Sequence, residues 1–413
     1  MNIVIAGAGV AGITAAETAR AADPKANITI FSQERERLYY RPRLPEVVAG
    51  KVPMDKIFAN PEGWFLEKNL EFRAGESLVD ICLDTHQVRG SLGSRLIYDR
   101  LLLATGAESA KPPWPGVDLP GVYAVRSLND AVSLYYDAGR AKEAILVGSG
   151  LLGLEMGNAL ITRGLKTRVI ERGTRVLPRQ TTPKSGAKLL QVLTKLGFEI
   201  LLGQEVQHAY GQDRLEGVVL KSGQEARGQI LILATGIKPN LDLAKLIKLK
   251  TDKAIVVDEY LETSLPGVYA AGDCAQSPDG FSGLWTISRL QGLTAGANLV
   301  AQDAASRKIY EAQPPSTLLK VAGIDLIAAG NIDPDGQLTG LEAEDENAYR
   351  KLLLDPKGLL VGFTILGTKA GNRELNEALG QKIIPSELWE PLKSLDFDFA
   401  KIKALPKESG ATS

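Results

Sequence analysis

Two glycine clusters are the residues best suited to chemistry. Gly7-Ala-Gly9-Val-Ala-Gly12 and Gly148-Ser-Gly150-Leu-Leu-Gly153 share a Gly-x-Gly-x-x-Gly spacing. Each follows a short apolar run (Asn2-Ile-Val-Ile-Ala and Ala144-Ile-Leu-Val) and precedes a segment that reads as helix, Val10 to about Ala22 and Leu154–Arg163. In a strand–turn–helix, the first glycine permits the tight turn and the second lets a pyrophosphate approach the backbone. The third lets the helix lie close to the strand. Helix N-termini offer free N–H groups, here beginning with Val10 and Ala11, that point at phosphate. Glycine turns are common, so the spacing alone is weak. The strand before and helix after it turn it into a dinucleotide-binding reading.

Each unit continues into a second strand, 28–31 and 167–170, of the size expected for a βαβ unit. An acid at the end of that strand holds ribose hydroxyls. In the second copy it is Glu171, whose carboxylate repels a 2′-phosphate and so favours NADH over NADPH; the adjacent Arg172 blunts that preference. In the first copy the strand ends at Ser32, and Glu34 either takes the role or is a solvated loop acid. A third signal is Gly272-Asp273, after the buried run Val268-Tyr-Ala-Ala. There glycine allows close backbone approach and the aspartate can bond polyol hydroxyls, or simply cap a strand end. Because this site lies far along the chain from the first turn, a ligand gripped at both must be long. FAD meets that requirement.

The elements that position these residues form an internal duplication. The phrase Leu-Leu-Leu-Ala-Thr105-Gly106 returns as Leu-Ile-Leu-Ala-Thr-Gly236, each closing a stretch (76–104 and 198–233) that reads as antiparallel strands. Two copies of one nucleotide-binding domain explain this better than a solenoid. Pro-rich stretches at 112–120 and 313–315 read as linkers. After residue 316 the pattern becomes short strands at 317–321, 324–329, 350–354 and 358–365, then a helix near 370–380. The expected fold is α/β: two Rossmann-like three-layer domains with inserted antiparallel strands, plus a small α+β C-terminal domain. The first domain takes 1–110 and 237–312, the second 111–236 and the third 313–405, with a frayed tail at 406–413.

Composition fits a globular chain of two or three domains: 413 residues, 44% hydrophobic, 23% charged, net charge −1. That balance gives no reason to expect nucleic acid. No apolar run approaches the ~18 residues that span a bilayer. The opening Met-Asn-Ile-Val-Ile-Ala reads as a strand rather than a signal peptide, so a cytoplasmic protein is expected.

Two glycine turns, two Ala-Thr-Gly phrases and Ala-Ala-Gly272-Asp273 together resemble the pyridine nucleotide-disulfide oxidoreductase superfamily of flavoproteins, to about residue 385. Tyr39-Tyr-Arg41-Pro-Arg43-Leu, Thr235-Gly-Ile-Lys-Pro-Asn240, Trp285 and Gln291-Gly292 are similar to its branch of single-FAD reductases that feed electron-transfer proteins, and most to the NADH:rubredoxin oxidoreductases. The resemblance implies FAD contacts at Gly12, Arg41 and Asp273. It also implies a helix-borne acid, Glu155, near the nicotinamide and Trp285 close to the flavin ring. A helix-surface acid and a core aromatic are the plainer alternatives.

The thiols of the disulfide-reducing members are missing. Residues 33–51 hold no cysteine. Cys82 and Cys274 read as small buried residues, and His86 and His208 have neither cysteine nor serine context. No metal-spaced ligands occur. Chemistry then falls to the flavin: hydride from NADH, then single electrons to rubredoxin or a similar small acidic iron–sulfur carrier. Basic residues for docking are Arg35, Arg37, Arg43, Lys51, Lys369, Arg373 and Lys382. The competing readings are an NADH oxidase using oxygen and a flavin-bearing subunit or redox-sensing module of a larger complex.

Overall fold

The computed structural model describes residues 1–311, 316–321, 324–332 and 336–407. The chain divides into two compact units, Met1–Leu44 with Val52–Ser109 and Ile237–Gln313, and Pro45–Lys51 with Ala110–Gly236 and Pro314–Ser413.

The first unit is built on a five-stranded sheet in the order Val268–Ala270, Arg100–Leu103, Asn2–Ala6, Asn27–Ser32, Glu71–Ala74, every neighbour parallel. Its central strands are apolar without alternation because both faces are covered; Ile5, Ile30, Leu101, Leu102 and Leu103 are fully buried. Helices Val10–Ala22 and Trp285–Leu299 pack on one another. A small antiparallel sheet, Leu78–Cys82, Gln87–Gly90 and Arg95–Ile97, is the insertion.

The second unit repeats the plan. Its parallel sheet runs Phe198–Leu202, Lys166–Glu171, Glu143–Val147, Ile230–Leu233, Val122–Tyr123, with an antiparallel insertion of Val206–Tyr210, Gly217–Leu220 and Glu225–Arg227. The antiparallel stretches are thus shorter than the sequence suggests. Arg100–Leu103, Phe198–Leu202 and Ile230–Leu233 join the parallel sheets instead. Near-continuous apolar runs, as in Ile230–Leu233, mark doubly covered strands, and the alternating insert strands lie between them.

The same unit carries a five-stranded antiparallel sheet, Ser316–Val321, Ile324–Gly330, Leu360–Leu366, Tyr349–Leu354, Thr339–Glu344, with helix Asn372–Ala378. Strand Thr339–Glu344 was not legible: it is a polar edge strand burying only Leu341 and Ala343. Two buried cations fasten the chain end to this sheet. Arg350 Nη2 donates to Leu392 O (2.8 Å) and Ser394 O (2.6 Å), and Lys382 Nζ donates to Ile402 O (3.1 Å) and Lys403 O (2.7 Å). Segment Pro45–Lys51 also belongs here; Arg163 stacks on Tyr135 and donates from Nη1 to Val48 O (3.2 Å). Among the described residues no helix is long and apolar enough to cross a membrane, and no group of His, Cys, Asp and Glu could hold a metal ion.

Candidate functional site

In the first unit, strand Asn2–Ala6 runs into Gly7, whose φ of +119° favours glycine. A Cβ there would lie 2.1 Å from Ala104 O, and one on Gly12 2.0 Å from Gly7 O, so neither position accepts a side chain. Gly9, which caps helix Val10–Ala22, has nothing within 4 Å of its Cβ position. That open space adjoins first-turn amides with no acceptor inside the helix, the arrangement a pyrophosphate needs. Beside it, Thr105 Oγ1 donates to Asn240 O (3.0 Å), Asn240 Nδ2 donates to Thr105 O (2.8 Å), and Gly106 leaves open space.

Folding brings Gly272-Asp273 to the same place. A Cβ on Gly272 (φ +85°) would be 2.9 Å from the Ala11 Cβ, so the distant motif sits on the first turn of helix Val10–Ala22. Helix Trp285–Leu299 holds it there: Gly272 N donates to Gln291 Oε1 (2.7 Å) and Ser288 Oγ donates to Asp273 Oδ1 (3.0 Å). The two helices approach closely because Gly292 and Gly296 lie over Ala11 O and Ala15 O, where a Cβ would come within 2.5 Å. Ser288 was missed in the sequence. Its three- and four-residue spacing to Gln291 and Gly292 is the signal that places all three on one helix face.

Glu34 is not a solvated loop acid. Its Oε2 accepts from Tyr39 Oη (2.6 Å) and its Oε1 from Arg41 Nη2 (2.5 Å), while Ser32 Oγ donates to Glu34 O (2.8 Å). Burial disfavours the Arg41 charge, but Tyr39, Glu34 and Asp273 outweigh it and raise the guanidinium above its ordinary range. Glu34, Arg41 and Asp273 thus share one neighbourhood at the glycine turn. Trp285 opens its helix half-buried, with its ring 5.7 Å from that of Tyr40, which is exposed. Tyr40 is a further candidate that sequence reasoning left unassigned.

The second turn follows the same rules. A Cβ on Gly148 (φ +98°) would lie 2.5 Å from Ala234 O, one on Gly153 2.8 Å from Gly148 O, and Gly150 meets only Ala234 O, at 3.9 Å. Gly236 has open space. Glu171 is buried and held within the turn: Oε2 accepts from Ser149 N (2.8 Å) and Ser149 Oγ (2.7 Å), and Oε1 from Gly173 N (2.7 Å). Glu155, on helix Leu151–Thr162, is pushed up to about 7, first by burial and then by the like charge of Glu46. A carboxyl balanced near neutrality is the kind of perturbed acid that active sites use.

Some expectations fail. Cys82 is exposed: Ile81 points into the small sheet, so its neighbour must point out. Cys274 is buried as expected, its Sγ donating to Leu103 O (3.3 Å). Lys382 is 5% exposed and cannot dock a partner, since its ammonium is spent on main-chain carbonyls. Lys369 pairs with Asp325 and Arg373 with Glu377. Arg37 lies over the Phe58 ring and donates to Asn60 O.

Each glycine turn, with open space over a helix N-terminus and an acid beside it, fits a dinucleotide, and the pair defines a two-dinucleotide oxidoreductase architecture. The chain belongs to the pyridine nucleotide-disulphide oxidoreductase family, whose pattern matches residues 1–292; residues 315–383 match the rubredoxin NAD+ reductase C-terminal domain. It is 31% identical over 399 residues to the assimilatory nitrate reductase electron transfer subunit of Bacillus subtilis, covering 94% of this chain and 51% of that protein. The chain therefore spans about half the length of that relative. It is 33% identical over 319 residues to an NADH oxidase of Methanocaldococcus jannaschii, covering 74% of this chain and 71% of the relative. The crystal structure of NADH:rubredoxin oxidoreductase from Clostridium acetobutylicum superposes with a TM-score of 0.77 at 27% identity, covering 92% of this chain and 94% of that one.

Proposed function

We propose that this protein is an NAD(P)H-dependent FAD oxidoreductase, with NADH as donor and rubredoxin or a similar small acidic iron–sulfur carrier as acceptor. The observation that carries the reading is the meeting of Gly272-Asp273 with the first turn of helix Val10–Ala22, because only a long cofactor needs both. Flavin, when bound, accepts a hydride and releases the electrons singly.

The chain's own residues bind and orient. Gly9 leaves room for the pyrophosphate, Arg41 supplies positive charge beside it, and Asp273 accepts from polyol hydroxyls. Glu34, held by Tyr39 and Arg41, would take the adenosine end of the flavin nucleotide. Glu171 receives the ribose of the pyridine nucleotide, and Glu155 offers a carboxyl that can hold or release a proton near pH 7. Trp285 and Tyr40 supply an aromatic wall. No thiol competes for the electrons in residues 33–51.

The test is anaerobic stopped-flow reduction by NADH and by NADPH, followed by mixing with rubredoxin, a ferredoxin or oxygen. The reading expects faster reduction by NADH and reoxidation by rubredoxin far faster than by oxygen. Equal rates with rubredoxin and oxygen would remove that acceptor and favour the oxidase reading, which the Methanocaldococcus jannaschii relative supports.

A further inference from the structure

Glu171 followed by Arg172 sends contradictory signals, since one repels a 2′-phosphate and the other attracts it. The structure separates them. Glu171 is 7% exposed and takes three donors, two of them from Ser149, which is completely buried inside the glycine turn. A carboxylate has about four lone-pair sites. The turn that receives the pyrophosphate therefore also fixes the acid and leaves it room for one more donor, a ribose hydroxyl.

Arg172 is exposed and belongs to different surroundings. The loop after strand Phe198–Leu202 runs alongside it: Gly203 N donates to Gly173 O (3.0 Å) and Gln204 N to Glu171 O (3.1 Å). Lys221 N anchors the next residue through Glu205 O (2.8 Å), and Lys221 Nζ pairs with the Glu205 carboxylate. That carboxylate is held below its ordinary range, first by the hydrogen bond from Lys221, then by the Lys221 charge and by Arg172. Arg172 thus lies within electrostatic reach of Glu205, whose direct partner is Lys221.

Building on the second turn as the pyridine nucleotide site, we propose that two residues outside the ribose-binding acid set the coenzyme preference: Ser149 by fixing the Glu171 carboxylate, and Glu205 by setting a negative charge close to Arg172, which on its own would favour a 2′-phosphate. Neither role follows from an acid at the strand end alone.

The test measures kcat and KM for NADH and NADPH on flavin-loaded protein, with ferricyanide as acceptor. Glu205→Gln, at an exposed site, is expected to raise kcat/KM for NADPH about threefold, the size of a solvent-screened charge interaction, and to move that for NADH by a smaller factor. Adding Arg172→Ala should abolish the gain. Ser149→Ala should raise KM for NADH about fivefold with kcat unchanged, the cost of one hydrogen bond to an acid. No gain in Glu205→Gln, or a gain that survives Arg172→Ala, overturns the Glu205 role; a Ser149→Ala defect in kcat alone overturns the Ser149 role. A wild-type preference for NADPH sinks the NADH reading itself, a separate outcome visible before any variant is made.

Discussion

Glu155→Gln tests the electrostatics of the second unit. The Glu155 carboxyl moves from an ordinary 4.5 to about 7 by burial and then by Glu46. A shift of that size makes its ionised form costlier in the folded protein by about 3 kcal/mol. The sign follows from proton linkage. A carboxyl raised on folding binds its proton more tightly in the native state, so wild-type stability is lost as pH climbs from 4.5 through about 7 and is level above. Glutamine carries no proton to lose. The thermal midpoints of wild type and Glu155→Gln should therefore be closest near pH 5 and part further through pH 6 and 7. By pH 8 they should differ by several degrees, the variant being the more stable. Glu46→Gln removes the like charge, so in that background the final gap should be smaller and should level off at a lower pH. Differential scanning calorimetry from pH 5 to 9 reads this directly. A gap that is constant with pH, or already complete at pH 5, would refute the reasoning. If Glu155 also faces the nicotinamide, flavin reduction by NADH should change with an apparent value near 7 in wild type and be flat in the variant.

Three further outcomes are expected. Gly9→Ala meets open space, so the apoprotein should keep its melting temperature yet lose flavin; Gly12→Ala, whose Cβ collides with Gly7 O, should lose both. The flavin-to-protein absorbance ratio separates the two. Gln291→Leu leaves the buried Gly272 amide without its acceptor, a loss of about 1–3 kcal/mol that urea denaturation should detect together with weaker flavin retention. Raising ionic strength should slow acceptor reduction more than flavin reduction by NADH if docking is electrostatic, and equal slowing in stopped-flow traces would exclude that mode.

The glycine turns were legible because their demands are local: a positive φ, a crowded Cβ and a helix that must begin at once. The parallel sheets were legible for a similar reason, since a strand buried on both faces cannot alternate. What failed was decided by facing or by distance. Cys82 was misassigned because one step along a strand reverses its side. Lys382 looked like any surface cation, and only the fold shows its ammonium closing on Ile402 O and Lys403 O. Glu46 gave no sign of its effect on Glu155, because the two are far apart in the chain and share a site only through the docking of Pro45–Lys51. Ser149 sat inside a recognised motif and still escaped notice, since the spacing rule treats its position as arbitrary.

A side chain at Gly7 or Gly148 would run into a main-chain oxygen, that of Ala104 or Ala234, at the end of a neighbouring strand. Every residue type brings such an oxygen, so the bend senses where that strand lies more than what it is made of. A larger residue at either bend would therefore have to displace a strand end, and not merely a side chain, to be accommodated.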